Sequence, residues 1–146
     1  MLTWPAAGDT LEETVYAVQA WAHQRFEYVR DDVRWAGDPN LWVGEHWESD
    51  AELLADLSNE RGIVRGDCDA FAKMCWMALR RLNVPARLVF CKAETGEGHL
   101  VCEASGWVLD NRYRIATPRQ ELEQLGYQWM AKSDFVPGGQ WTTASA

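Results

Sequence analysis

Between Gly66 and Pro85 the sequence leaves little choice of local structure. Cys68, Ala72, Cys75, Leu79 and Leu82 recur at alternating spacings of four and three. That is the period of a helix with one apolar face. Asn83 and Pro85 close the run, so a helix is predicted to begin near Asp67 and to end before Asn83. The next six residues, Ala86-Arg87-Leu88-Val89-Phe90-Cys91, read as a buried strand. A helix with a single apolar stripe must lay it on something, and the strands that follow are the natural surface.

Upstream, Thr10 with Glu13 and Ser49 with Glu52 have the spacing of capping boxes. The first predicts a helix over about 10–28, carried by Leu11, Val15, Val18 and Ala22. The second predicts a short helix ending near Ser58. Gly37, Pro39, Asn40 and Gly44 make the segment Arg30 to Trp47 a loop, although it holds Trp35, Trp42 and Trp47. Downstream, Glu94 to Gly98 is a turn. His99–Ala104 and Trp107–Asn111 are two strands joined at Ser105-Gly106. A short helix is expected at about 120–125, and the residues after Gly138 are expected to be weakly ordered. Helices first and an antiparallel sheet afterwards is an α+β pattern. The chain has 146 residues, the size of one domain, so residues 1–146 are read as a single unit.

Composition excludes several classes of function. Fourteen basic against 22 acidic residues leave a net charge of −8, and such a surface repels a phosphate backbone. Nucleic-acid binding is not expected. No apolar run approaches the ~20 residues of a membrane span, so no membrane partner is expected. The start, Met1-Leu2-Thr3-Trp4-Pro5, lacks the pattern of a signal peptide, which makes the cytoplasm the expected location. There the four cysteines stay reduced. The nine tryptophans suit a packed core better than a ligand groove.

Three residues carry chemistry. Cys68 stands at the predicted helix start, where unpaired N–H groups and the helix dipole favour a thiolate. It also lies on the apolar stripe, so packing alone would account for it. Cys75 and Cys91 read as core. His99 opens a strand after the Gly96-Glu97-Gly98 turn. With Ser105-Gly106 as a two-residue turn, Ala104 faces Trp107, Glu103 faces Val108 and Cys102 faces Leu109. Alternation then puts His99, Val101 and Glu103 on one sheet face with Val108 and Asp110. Asp110 is the diagonal neighbour of His99, within side-chain reach. The competing reading is that Asp110-Asn111 merely ends the strand. A nucleophile, a base and a group that orients the base form a triad.

Gly66-Asp67-Cys68-Asp69-Ala70-Phe71-Ala72, Gly98-His99-Leu100-Val101 and Trp107-Val108-Leu109-Asp110-Asn111 resemble three sequence blocks of the bacterial transglutaminase-like cysteine proteinases. Tyr28-Val29-Arg30-Asp31-Asp32 and Trp47 to Leu54 resemble the stretch that precedes the nucleophile in that family. The resemblance spans about residues 20–116. It implies a papain-related fold with the nucleophile at the head of a helix packed on an antiparallel sheet. It implies Cys68, His99 and Asp110 as the triad of a cysteine peptidase that acts on a protein or peptide through a thioester; no cofactor is expected. It also places a tryptophan at Trp47, whose indole N–H is an oxyanion candidate beside the Cys68 backbone N–H. Against that, Trp47 could simply staple the helix capped by Ser49. The family's secreted members carry signal peptides; none is expected here, so the substrate is expected to differ.

Other chemistries remain open. A thioester can be resolved by water or by an amine, so deamidation or cross-linking of glutamine is an alternative. Asp67 and Asp69 flank Cys68 and suit helix capping; the resemblance implies a calcium site as the alternative, since some members of that family use acidic residues beside the nucleophile. Two carboxylates fill too little of calcium's six to eight oxygens, which leaves Glu45, Glu48 or Glu97 to complete it. Zinc is disfavoured, because His99-x-x-Cys102 is the one ligand-like spacing. A catalytically idle acidic module that binds a basic protein would also fit the charge.

Overall fold

A computed structural model describes residues 2–30 and 48–144. The loop read at Arg30 to Trp47 and its three tryptophans, Trp47 included, therefore lie almost wholly outside the described residues.

Helix α1 spans Leu11–Gln24, with Thr10 accepting from the Glu13 N–H. It is shorter than the expected 10–28. After Gln24 the chain turns into strand β1, Phe26–Tyr28, which pairs in parallel with β2, Val64–Gly66. The apolar Phe26 that extended the helical pattern is thus the first residue of a strand. Helix α2, Asp50–Leu57, closes the capping box between Ser49 and Glu52 in both directions. Helix α3, Cys68–Arg81, has Asp67 as its N-cap, and the Asp67 side chain accepts the Asp69 N–H.

The main sheet has strand order β6-β5-β4-β3-β7-β8. Its strands are β3 (Arg87–Lys92), β4 (Gly98–Ala104), β5 (Trp107–Leu109), β6 (Thr117–Pro118), β7 (Gln128–Lys132) and β8 (Thr142–Thr143), all antiparallel to their neighbours. Helix α4, Arg119–Leu125, lies between β6 and β7. The expectation of weak order after Gly138 fails at Thr142–Thr143, which pair with Ala131 and Lys132.

The β4–β5 register matches the alternation argument: Cys102 pairs with Leu109, Glu103 with Val108 and Ala104 with Trp107. Ser105 and Gly106 both have positive φ, 47° and 89°. Two consecutive positive φ values suit the tight turn whose twist matches paired strands.

The two faces of the sheet bury different clusters. Leu88, Leu100, Cys102, Ala104 and Leu109 pack with Phe71, Met74, Cys75 and Leu79 of α3 and Val15, Val18 and Ala22 of α1. Val89, Cys91, Val101 and Val108 point the other way, to Leu122 and Tyr127. Each fully buried Phe, Met or Leu contributes about 1.5–3 kcal/mol, so the α3 stripe anchors the first residue of that helix against β4. Gly66, ahead of it, is required by space: a Cβ there would lie 2.5 Å from Ala70 Cβ and 2.8 Å from Glu48 Oε2. At its far end α3 is tied to α2 by Arg80, whose Nη1 and Nη2 each lie 3.0 Å from Asp50 Oδ2. Among the described residues, Trp21 and Trp76 are buried in the core, Trp4 stacks on Trp21, Trp76 donates to the Ala86 carbonyl, and Trp141 is exposed.

Candidate active site

Cys68 is the first residue of α3 and is half-buried. Beside it lies a cleft of about 430 Å³ lined by Asp67, Cys68, Asp69, Phe90, Gly98, His99 and Leu100. The helix start supplies the thiol and the two aspartates, and the β3–β4 ladder supplies the rest. Phe90 is partly exposed and lies over Gly98, where a Cβ would come 3.0 Å from its ring.

His99 Nε2 lies 2.7 Å from Asp110 Oδ1. Asp110 is 1% exposed and sits one residue past the end of β5. Leu109 faces α3, so alternation turns Asp110 to the His99 face. The strand ends there because the chain turns, with the Tyr113 N–H donating to the Asp110 carbonyl. The structure therefore brings Cys68 and His99 to one cleft and joins Asp110 to His99. A carboxylate on Nε2 places the proton on that nitrogen and leaves Nδ1 as the basic one.

The electrostatics of Cys68 run against the helix-dipole expectation. Its Sγ donates to Asp69 Oδ1 over 3.5 Å. Burial pushes the thiol well above the usual range, and the charges of Asp69 and then Asp67 push it further, while the Leu100 backbone N–H pulls it down. In this arrangement the neutral thiol is favoured, not a resting thiolate. Burial first, and then the charges of Asp69 and Asp67, act against the partial dipole charge of the helix start. Cys75, Cys91 and Cys102 are all 0% exposed, and burial raises each thiol, Cys91 to about 12. They are core residues, as read for Cys75 and Cys91.

Glu103 shares the His99 face but is engaged elsewhere, with Arg87 at 3.0 Å and Arg119 at 3.4 Å. His99 and Cys102 point to opposite faces, which removes the zinc-like spacing. Among the described residues, Asp67, Cys68 and Asp69 are the group of three metal-capable side chains, their ligand atoms all within 4.8 Å of one another. Glu48 is buried against Gly66. Glu97 is exposed at the β3–β4 turn, and Glu45 lies outside the described residues.

Sequence reasoning missed two polar side chains around Asp110. Gln19, buried on α1, donates to the carbonyls of Asp110 and Tyr113 at 2.9 and 2.7 Å. The Tyr127 hydroxyl donates to Asp110 Oδ2 at 2.7 Å. A buried glutamine on the apolar face of α1 was the visible signal for the first; nothing local marks the second.

A cysteine-headed helix packed on an antiparallel sheet, with histidine and carboxylate delivered by a central hairpin, is the transglutaminase-like, papain-related fold. Three solved structures of LapG from Legionella pneumophila share it. The EGTA-treated form superposes with a TM-score of 0.68 at 17% identity, covering 96% of this chain and 70% of that one. The calcium-bound form gives 0.64 at 20% identity, covering 96% and 75%. A third gives 0.63 at 18% identity, covering 89% and 67%. No protein-family model matches the sequence, and no curated protein matches it.

Proposed function

We propose that this protein is a cysteine-dependent acyl-transfer hydrolase, a peptidase acting through Cys68, His99 and Asp110. The observation that carries this reading is the 2.7 Å pairing of His99 Nε2 with buried Asp110, on a histidine that lines the same cleft as Cys68. With Nε2–H committed to the carboxylate, Nδ1 takes the Cys68 proton as the sulfur attacks a carbonyl carbon. The imidazolium then protonates the departing amine, leaving a thioester that water hydrolyses. Asp110 stabilises the imidazolium in between. Because the carboxylates beside Cys68 favour its thiol, proton transfer to His99 belongs to the attack itself. The Cys68 backbone N–H, at the helix start, is the described donor suited to the developing oxyanion. Trp47 remains the second candidate from sequence.

The test is incubation with a peptide library, reading new termini by mass spectrometry. Wild type should create new N-termini, and Cys68→Ala should create none. Asp110→Asn should lose about 10- to 1,000-fold, less than the ~10⁴-fold of a serine triad. Glutamine converted to glutamate, or cross-linked peptides without cleavage, would move the activity to the deamidase or transglutaminase alternative. No turnover, with Cys68 inert to alkylation, would leave the acidic binding module.

Calcium is an added group that the site suits. Asp67 and Asp69 offer hard oxygens, the ligand type calcium takes, though Asp67 also caps the helix and two carboxylates are a partial shell. When bound, such an ion supplies positive charge beside the thiol. A calcium-dependent rise in melting temperature, lost in Asp69→Asn, would support it; an unchanged melt at millimolar calcium would count against it.

A further inference from the structure

Asp110 is held by more than the histidine. Its Oδ1 accepts from His99 Nε2 and from the Arg112 N–H, at 2.7 and 2.9 Å. Its Oδ2 accepts from the Tyr127 hydroxyl at 2.7 Å. The Tyr127 hydroxyl in turn accepts from Arg112 Nη1 at 2.9 Å. The Arg112 guanidinium grips Glu94 with both arms, Nη1 on Oε2 and Nη2 on Oε1. The chain of contacts runs from a surface ion pair to the imidazole.

The α4 terminus holds Tyr127 there, and Gly126 is its pivot. Gly126 ends α4 in the left-handed region, φ 110°, and the Tyr127 N–H bonds back to the Leu122 carbonyl. That turn throws the Tyr127 ring under the sheet, where it is 4% exposed and meets the His99 ring edge-on at 6.2 Å. Gly126 also faces Glu94, whose Cβ lies 3.5 Å from where a Cβ on Gly126 would be. The β3–β4 turn and the α4 terminus are thereby joined over Asp110.

We propose that Tyr127 is a positioning residue for the His99–Asp110 pair, held in place by Arg112 and Glu94. This rests on the reading of Cys68, His99 and Asp110 as a triad. The physical reason is rotational. A carboxylate anchored through one oxygen can swing about its Cβ–Cγ bond; anchoring the second oxygen fixes its plane, and with it the direction of the imidazole. Burial and the neighbouring Asp110 charge raise the Tyr127 hydroxyl far above its ordinary range. It therefore remains a donor at any working pH. A purely structural hydroxyl would satisfy the buried carboxylate without affecting the reactivity of a sulfur on another element.

The experiment is a double-mutant cycle on the rate of Cys68 alkylation by iodoacetamide near neutral pH, which needs no substrate. Tyr127→Phe is expected to slow alkylation about 3- to 30-fold, a part of the roughly 10- to 150-fold that one hydrogen bond to a charged group is worth, since the effect reaches the sulfur through His99. Asp110→Asn should slow it as well. The double variant should be no slower than Asp110→Asn within about 2-fold, because Tyr127 acts through Asp110. Arg112→Gln, which keeps the hydroxyl but removes its support, should slow alkylation in the same direction and by less. An unchanged rate in Tyr127→Phe with a lowered melting temperature would overturn the proposal, as would additive effects in the double variant. If Tyr127→Phe does not fold, an unchanged rate in Arg112→Gln overturns it. If Asp110→Asn itself leaves the rate unchanged, the triad reading fails and takes this one with it. If Asp110→Asn slows alkylation and Tyr127→Phe does not, the triad stands and this inference alone falls.

Discussion

The Cys68 thiol donates to Asp69 Oδ1 over 3.5 Å, so the residue next to the candidate nucleophile accepts a hydrogen bond from its S–H. Asp69 is buried and its charge, after desolvation, is the largest influence raising the thiol. Asp69→Asn removes that charge while keeping a side chain suited to the first helical turn. The thiol should then ionise at lower pH, and Cys68 should be alkylated faster near neutrality, about tenfold for each unit of downward shift. Rates of iodoacetamide labelling across pH, followed by peptide mapping, measure it. An unchanged profile would show that Asp69 does not govern the thiol.

The four cysteines should separate by accessibility. Cys68 is half-buried, whereas Cys75, Cys91 and Cys102 are 0% exposed. Cys68 should label first, with a rate that climbs toward alkaline pH because its thiol is raised. The other three should label on unfolding. Equal labelling of all four in the native protein would contradict this packing.

Gly66→Ala should destabilise the protein by about 1–3 kcal/mol, the cost of overpacking a filled site. The added methyl would meet Ala70 Cβ at 2.5 Å and Glu48 Oε2 at 2.8 Å, and helix α3 would have to shift. Thermal melts read the loss. Because Cys68 starts that helix, alkylation should also change, whereas a melting temperature equal to wild type would mean that the site has room.

The Arg112 guanidinium holds the Glu94 carboxyl at about 2, down from its ordinary 4.5. A folded-state value below the unfolded one contributes stability that is present above the unfolded value and lost as pH falls through the folded one. Stability should therefore decline between about pH 4.5 and 2 in wild type. Glu94→Gln should flatten part of that decline. The pair is exposed, so the effect is small and weakens with added salt. Melts across this range, with and without salt, test it.

The β4–β5 hairpin was legible because its turn is two residues long and strand alternation has period two; the rest follows by counting. Helix α3 was legible from its stripe and from Asn83 and Pro85. The pairing of β1 with β2 was not, since Phe26–Tyr28 continues a helical pattern and its partner lies far along the chain. Strand β7, Gln-Trp-Met-Ala-Lys, has no clean alternation, and it kinks its register against Phe90 and Cys91. At the site, position and spacing singled out Cys68, His99 and Asp110, and the family resemblance implied them as a triad. Tyr127 could not be, because its hydroxyl reaches Asp110 only through the α4 terminus and the β7 return. The direction in which the Cys68 thiol is shifted differs from expectation for another reason: burial raises it most, and the Asp69 charge adds to that. A helix dipole can be read from position, but whether a neighbouring carboxylate turns toward the sulfur depends on packing.

The turn at Ser105 and Gly106 has a consequence for how such a chain can vary. Asp110 meets His99 because an even number of residues separates the paired positions across the hairpin. One residue added to the turn would reverse the facing of everything after it, sending Asp110 toward α3 and Leu109 toward the imidazole. Two added residues would restore the facing and cost only loop entropy. Length change at this solvent-exposed corner is thus governed by arithmetic, odd or even, and a single insertion far from the sulfur could silence it as thoroughly as removing the carboxylate.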